Sequence, residues 1–133
     1  MLFNLWRMEL IVALLVITDP RVAPNGPEVK TVMTKDVAGA AGKEALMLTV
    51  EYGAGASEQV HRHNAQAFVY VLEGSVVMQV KGRAPVTLNP GDTFYEGKDD
   101  VHLVGRNASQ TTRARFVVFL VKQKGAALAV PAQ

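Results

Sequence analysis

The chain has 133 residues, a length that fits one domain, and its 14 basic against 12 acidic side chains leave a net charge of +2. It has no cysteine, which excludes a disulfide framework, thiolate zinc sites, iron–sulfur ligation and a cysteine nucleophile. Basic residues are scattered among acidic ones, without a basic run or basic-aromatic interleaving, so nucleic acid is not an expected partner.

Residues 10–17 (LIVALLVI) form an unbroken apolar run, preceded by Arg7 and closed by Asp19-Pro20. The run is too short to cross a hydrocarbon core, which takes about 20 helical residues, so stable membrane insertion is not expected. Its length and its weakly positive start match a signal peptide. Residues 1–23 are therefore expected to direct the protein to the periplasm or the outside. No clean Ala-x-Ala cleavage site follows. The alternative is a buried amino-terminal strand or helix packed on the domain of a cytoplasmic protein.

Residues 28–124 read as the domain, and the pattern there is that of strands. Residues 29–35 (VKTVMTK) and 45–52 (ALMLTVEY) carry β-branched and alternating apolar positions, the second stopping at Gly53-Ala54-Gly55. Residues 68–73 (FVYVLE) and 75–81 (SVVMQVK) flank Gly74 and read as a hairpin. Residues 84–88 include Pro85, which suits an edge or a strand start. The turn signal Asn89-Pro90-Gly91-Asp92 leads into residues 93–96, and residues 102–107 and 114–121 complete the set. The alanine-rich tail, 125–133, is expected to drape over the surface. Many short strands with Gly and Pro turns, and no helical window, predict an all-β sandwich or barrel.

Of the chain's three histidines, His102 opens one of these segments, and His61 and His63 lie between residues 52 and 68. His61 and His63 are two residues apart, a spacing that puts both on one face of a strand. His102 comes from a second segment that could bring a third imidazole to the same point. Neutral imidazole is the commonest side-chain ligand for divalent transition metals, so one site built from His61, His63 and His102 is expected.

The segment from Gly55 through His61-Arg62-His63 to Gly74 resembles the first cupin motif. The segment from Gly91 through His102 to Asn107 resembles the second. The resemblance implies a double-stranded β-helix, or jelly-roll, barrel, with a divalent transition metal (Zn, Fe, Cu, Ni or Mn) bound by the motif histidines and by a glutamate of the first motif. At the glutamate position this chain has Ala67, with Gln66 one place early as a substitute that could ligate if a bulge turned it inward. Three imidazoles without a carboxylate would leave the ion's 2+ charge uncompensated and would shift preference toward Zn²⁺, Cu²⁺, Ni²⁺ or Fe²⁺.

Among the remaining residues, Gln59, Tyr70, Met78, Phe94 and Glu96 are placed on strands that would line a cupin cavity. Glu96 is the candidate general base, against the blander reading of an exposed strand-end carboxylate. Met78, Phe94 and Tyr70 are candidate substrate contacts, against a role in the core. Arg62 should point outward. Three possibilities follow from the resemblance: a small dioxygenase-like oxidoreductase acting on a small molecule, a non-catalytic binder of a small ligand or metal ion, or, consistent with Ala67, a structural interaction module with an empty barrel. The resemblance also allows a homodimer, with the apolar residues 116–121 either a contact between sheet edges or, equally, a buried core strand.

Overall fold

The structure is a computed structural model and describes residues 26–133. The expected signal segment, 1–23, lies outside the described residues.

Ten strands follow one another: β1 (Glu28–Asp36), β2 (Lys43–Tyr52), β3 (His61–Arg62), β4 (Ala65–Glu73), β5 (Val76–Val80), β6 (Val86–Leu88), β7 (Thr93–Glu96), β8 (His102–Asn107), β9 (Ala114–Gln123) and β10 (Val130–Pro131). They form two five-stranded antiparallel sheets, ordered β1-β2-β9-β4-β7 and β10-β3-β8-β5-β6. This is the all-β architecture that the strand pattern predicts, and the jelly roll that the resemblance implies.

The period-2 alternation explains the packing. Strands β2, β4 and β9, the middle of the first sheet, bury every second side chain: Leu46, Leu48 and Val50; Ala65, Ala67, Val69 and Val71; Phe116, Val118 and Leu120. The second sheet meets them with Val76, Met78 and Leu88, making one apolar core. Strand β1 is exposed along its whole length at the edge of the first sheet, and its pairing with β2 slips between Thr31 and Met33.

Three expectations change. Residues 68–73 and 75–81 do not form a hairpin. Strand β4 pairs with β7 and β9, whereas β5 pairs with β6 and β8 in the other sheet. Gly74 is the corner where the chain changes sheets. Its φ is +67°, and a Cβ there would meet the Arg113 carbonyl oxygen at 2.5 Å. Residues 116–121 are not an edge, because β9 is paired on both sides, to β2 and β4. The tail does more than drape. Val130 and Pro131 pair with Arg62 and His61, so the tail adds a strand beside β3.

The end of the barrel around β8 is closed by Asn107, which is 1% exposed. Its Nδ2 donates to the carbonyls of Tyr52, Gly53 and Thr112 at 3.2, 2.9 and 2.7 Å, and its Oδ1 accepts from Ser109 N at 2.8 Å. One side chain thereby ties the end of β2 to the loop before β9.

Candidate metal centre

Strand register brings the histidines together. His61 on β3 lies directly opposite His102 on β8, and their ring centroids are 4.9 Å apart. His63, one residue past β3, stacks edge-on against His61 at 4.8 Å. Two hydrogen bonds then fix which nitrogen of each ring faces inward. His61 Nδ1 lies 2.8 Å from the Gln59 carbonyl and His63 Nδ1 lies 2.5 Å from the Leu128 carbonyl. A carbonyl can only accept, so both Nδ1 atoms carry hydrogen and both Nε2 atoms carry a lone pair. Those Nε2 atoms are 3.2 Å apart. Two lone pairs at that distance repel unless a cation or an added proton lies between them. Donating the outer nitrogen to a backbone carbonyl is also how metal-bound histidines are held.

Two carboxylates complete the cluster. Glu96 Oε2 lies 3.4 Å from His102 Nδ1 and 3.9 Å from His63 Nε2. Glu58 Oε2 lies 3.5 Å from His61 Nε2 and 3.9 Å from His102 Nδ1. Two overlapping groups could hold a metal ion, Glu58 with His61 and His102, and His61 with His63 and Glu96. Glu96 is only 3% exposed, not a solvated strand end, because β7 turns it inward opposite the buried Ala67 of β4. The pair occupies one patch of the interior, as cross-strand neighbours do.

Without a cation this cluster is poorly satisfied. Glu96 Oε2 and both ring nitrogens of His102 are buried with no hydrogen-bond partner. Burial, reinforced by the charges of Glu58 and Asp100, pushes the Glu96 carboxyl up to about 8. Burial and the neighbouring His61 push His102 down to about 4, and burial lowers His63 as well. At neutral pH the contacts of Glu96 with His102 and His63 are therefore between a protonated acid and neutral imidazoles, not ion pairs. The chemistry of the set, three imidazoles and two carboxylates around orphaned polar atoms, fits a divalent cation.

Behind the cluster is a cavity of about 680 Å³ between the sheets, walled mainly by aliphatic and aromatic side chains and edged by Leu128, Val130 and Pro131 of the tail. The residues singled out from sequence fall on both sides of its wall. Met78 lines the cavity and Gln59 borders it. Phe94 is half-buried against the core, its ring centroid 6.3 Å from that of His102. Tyr70 and Gln66 do not join the site. Both are exposed on the outer face of β4, where alternation sends them while Ala65, Ala67 and Val69 turn inward, and no bulge reverses the strand at Gln66. Arg62 is exposed, as alternation requires.

The sequence reading passed over Glu58, Tyr52 and Gly105. Tyr52 is fully buried and its hydroxyl donates to Glu58 Oε1; burial and the Glu58 charge raise its pKa. A Cβ on Gly105 would lie 2.9 Å from Tyr52 Oη, 3.1 Å from Glu58 Oε2 and 3.1 Å from His102 Cε1. An isolated glycine inside a strand signals such a close approach. Glu58 sits in a loop, where neither alternation nor helical spacing marks a carboxylate as inward.

Residues 48–120, more than half of the chain, match the family model described as the cupin domain. Among solved structures, DMSP lyase DddQ from Ruegeria pomeroyi DSS-3 is similar with a TM-score of 0.64 at 18% identity, covering 80% of this chain and 52% of that one. Recombinant oxalate oxidase in complex with glycolate gives a TM-score of 0.64 at 23% identity over 83% of this chain and 57% of that one. A cupin-like protein from Thermotoga maritima gives 0.63 at 20% identity over 81% and 77%. At these identities the likeness is one of fold, and this chain spans about half the length of the lyase and the oxidase. No curated protein sequence matches the chain.

Proposed function

Since the chain belongs to the cupin domain family, we propose that it is a divalent-metal protein in which His61, His63, His102 and Glu96 are the ligands, acting on a small molecule as a dioxygenase-like oxidoreductase. The observation that carries this reading is the convergence of the two Nε2 lone pairs of His61 and His63 at 3.2 Å, beside the unpartnered His102 and Glu96. The carboxylate that the first motif would take from the position of Ala67 comes instead from Glu96, its register partner on the next strand.

Glu96 thus exchanges the role of general base for that of ligand. The carboxylate set to accept a proton from a bound molecule is Glu58, whose Oε1 is held by the Tyr52 hydroxyl while Oε2 faces His61 and His102. A bound ion would supply Lewis acidity and, as Fe²⁺ or Mn²⁺, electron transfer to oxygen. With carboxylates beside the imidazoles, the harder ions Mn²⁺ and Fe²⁺ suit the donor set as well as Zn²⁺ does. The apolar run at residues 10–17 supports an exported protein, testable by sequencing its mature amino terminus.

Metal content measured on purified protein tests the reading. About one ion per chain is expected, with at least a hundredfold loss of affinity in a His61→Ala/His63→Ala double variant. Equal, substoichiometric metal in both forms would end the proposal. Oxygen uptake across phenolic, thiol and diketone compounds separates catalysis from simple binding. Retained binding without uptake favours the non-catalytic reading.

A further inference from the structure

The cavity wall beyond the imidazoles has no part in holding an ion, and its composition selects what can share the space. Leu48 and Val50 from β2, Val69 from β4, Met78 from β5 and Phe116 and Val118 from β9 line it. Among the described residues no Lys or Arg does, and the acidic side chains at its edge are Glu58 and Glu96. The volume, about 680 Å³, is that of a pocket for a molecule much larger than a two-carbon acid.

From this we infer that the cavity takes a neutral molecule, mostly hydrocarbon, that brings one oxygen-bearing end to the imidazole and carboxylate cluster, and that it excludes small dianions. The inference rests on the metal-site reading and names the substrate class for it. Two carboxylates already balance a divalent ion. A dianion added to them leaves net negative charge against a wall that offers no cation and few donors, which is the arrangement a low-dielectric interior holds least well. A hydrocarbon chain loses nothing by leaving water for the same wall, and each buried methylene adds about fourfold in affinity.

Calorimetric titration of the full chain, metal-free and loaded with Mn²⁺, tests this with β-diketones of increasing alkyl length and with oxalate and succinate. Affinity for the diketones is expected to rise about fourfold per methylene until the cavity is full, with no heat from the dianions at the same concentrations. Val118→Thr and Val69→Thr, near-isosteric variants whose folding is checked by circular dichroism, are each expected to weaken the longest diketone about tenfold by placing an unpaired hydroxyl against it. Oxalate or succinate binding as tightly as the longest diketone overturns the inference, as does an affinity indifferent to chain length. The two readings fail separately. Chain-length dependence in a protein that takes up none of Mn²⁺, Fe²⁺ and Zn²⁺ retains this inference and removes the metal centre. Stoichiometric Mn²⁺ with flat dependence does the reverse.

Discussion

Among the described residues, two of the places where the barrel buries polar groups are treated in opposite ways. At Asn107 the amide donates to three carbonyls and accepts from one N–H, so nothing polar is left over. At the histidine cluster, Glu96 Oε2 and both nitrogens of His102 have no partner. All three residues are nearly inaccessible, 1% at Asn107 and 3% at Glu96 and His102. Burial is therefore not what separates them. A satisfied network stabilises the fold by itself, whereas an unsatisfied one costs stability until something outside the chain completes it.

Substitutions should break this contrast in opposite directions. Asn107→Ala is expected to cost the most, about 3 kcal/mol, because it strands several carbonyls at once; thermal melting should fall by roughly 10 °C. Metal stoichiometry should be unchanged. A chain ended after Gly125 removes the Leu128 carbonyl from His63 and one rim of the cavity. Metal affinity should then fall about 10- to 100-fold in a competition titration while the core strands still fold.

The next effect is one of pH on the metal-free protein. Glu96 is raised to about 8 in the fold from 4.5, so between those values the folded chain holds a proton the unfolded chain has lost. Its contribution to stability is complete below 4.5 and is lost as pH rises toward 8. His102, lowered to about 4 from 6.5, acts oppositely: the unfolded chain holds the extra proton between those values, so stability rises with pH there. The slopes oppose each other up to about pH 6.5, and above it Glu96 alone acts. Denaturant titrations should show a loss of about 2 kcal/mol between pH 6.5 and 8, absent when the metal is bound. The smallest effect carries the opposite sign to that of Asn107→Ala. Glu96→Met should abolish tight metal binding yet stabilise the metal-free protein by about 1 kcal/mol, since it removes an orphaned buried oxygen. A destabilised variant would refute the account of Glu96 as unsatisfied.

Much of the barrel was legible because its middle strands obey a local rule. Residues 45–52 and 114–121 bury every second side chain, although Met47, Val117 and Phe119 make the other face partly apolar too. Gly74 misled because a glycine between two strand patterns looks the same whether the chain doubles back or crosses to another sheet, and only the long-range contact with Arg113 and Ala114 distinguishes them. The histidines could be read as a group because His61 and His63 share a motif spacing. Their meeting with His102 depends on a β3–β8 register that no local pattern encodes. Glu58 and the tail strand were hidden for a related reason: a loop carboxylate and a two-residue strand containing Pro131 have no periodicity to announce them.

Strand β1 has a consequence for how the molecule lives among its copies. Among the described residues nothing pairs with its outer side at the margin of the first sheet, and Val29, Val32 and Met33 are exposed along it. Such a margin is a template onto which a further chain could be added, and repetition would give fibres. The slipped pairing between Thr31 and Met33 interrupts the regular ladder, and Lys30 and Lys35 place charges along the strand that an added copy would have to desolvate. The irregularity in β1 thus works as protection against open-ended aggregation.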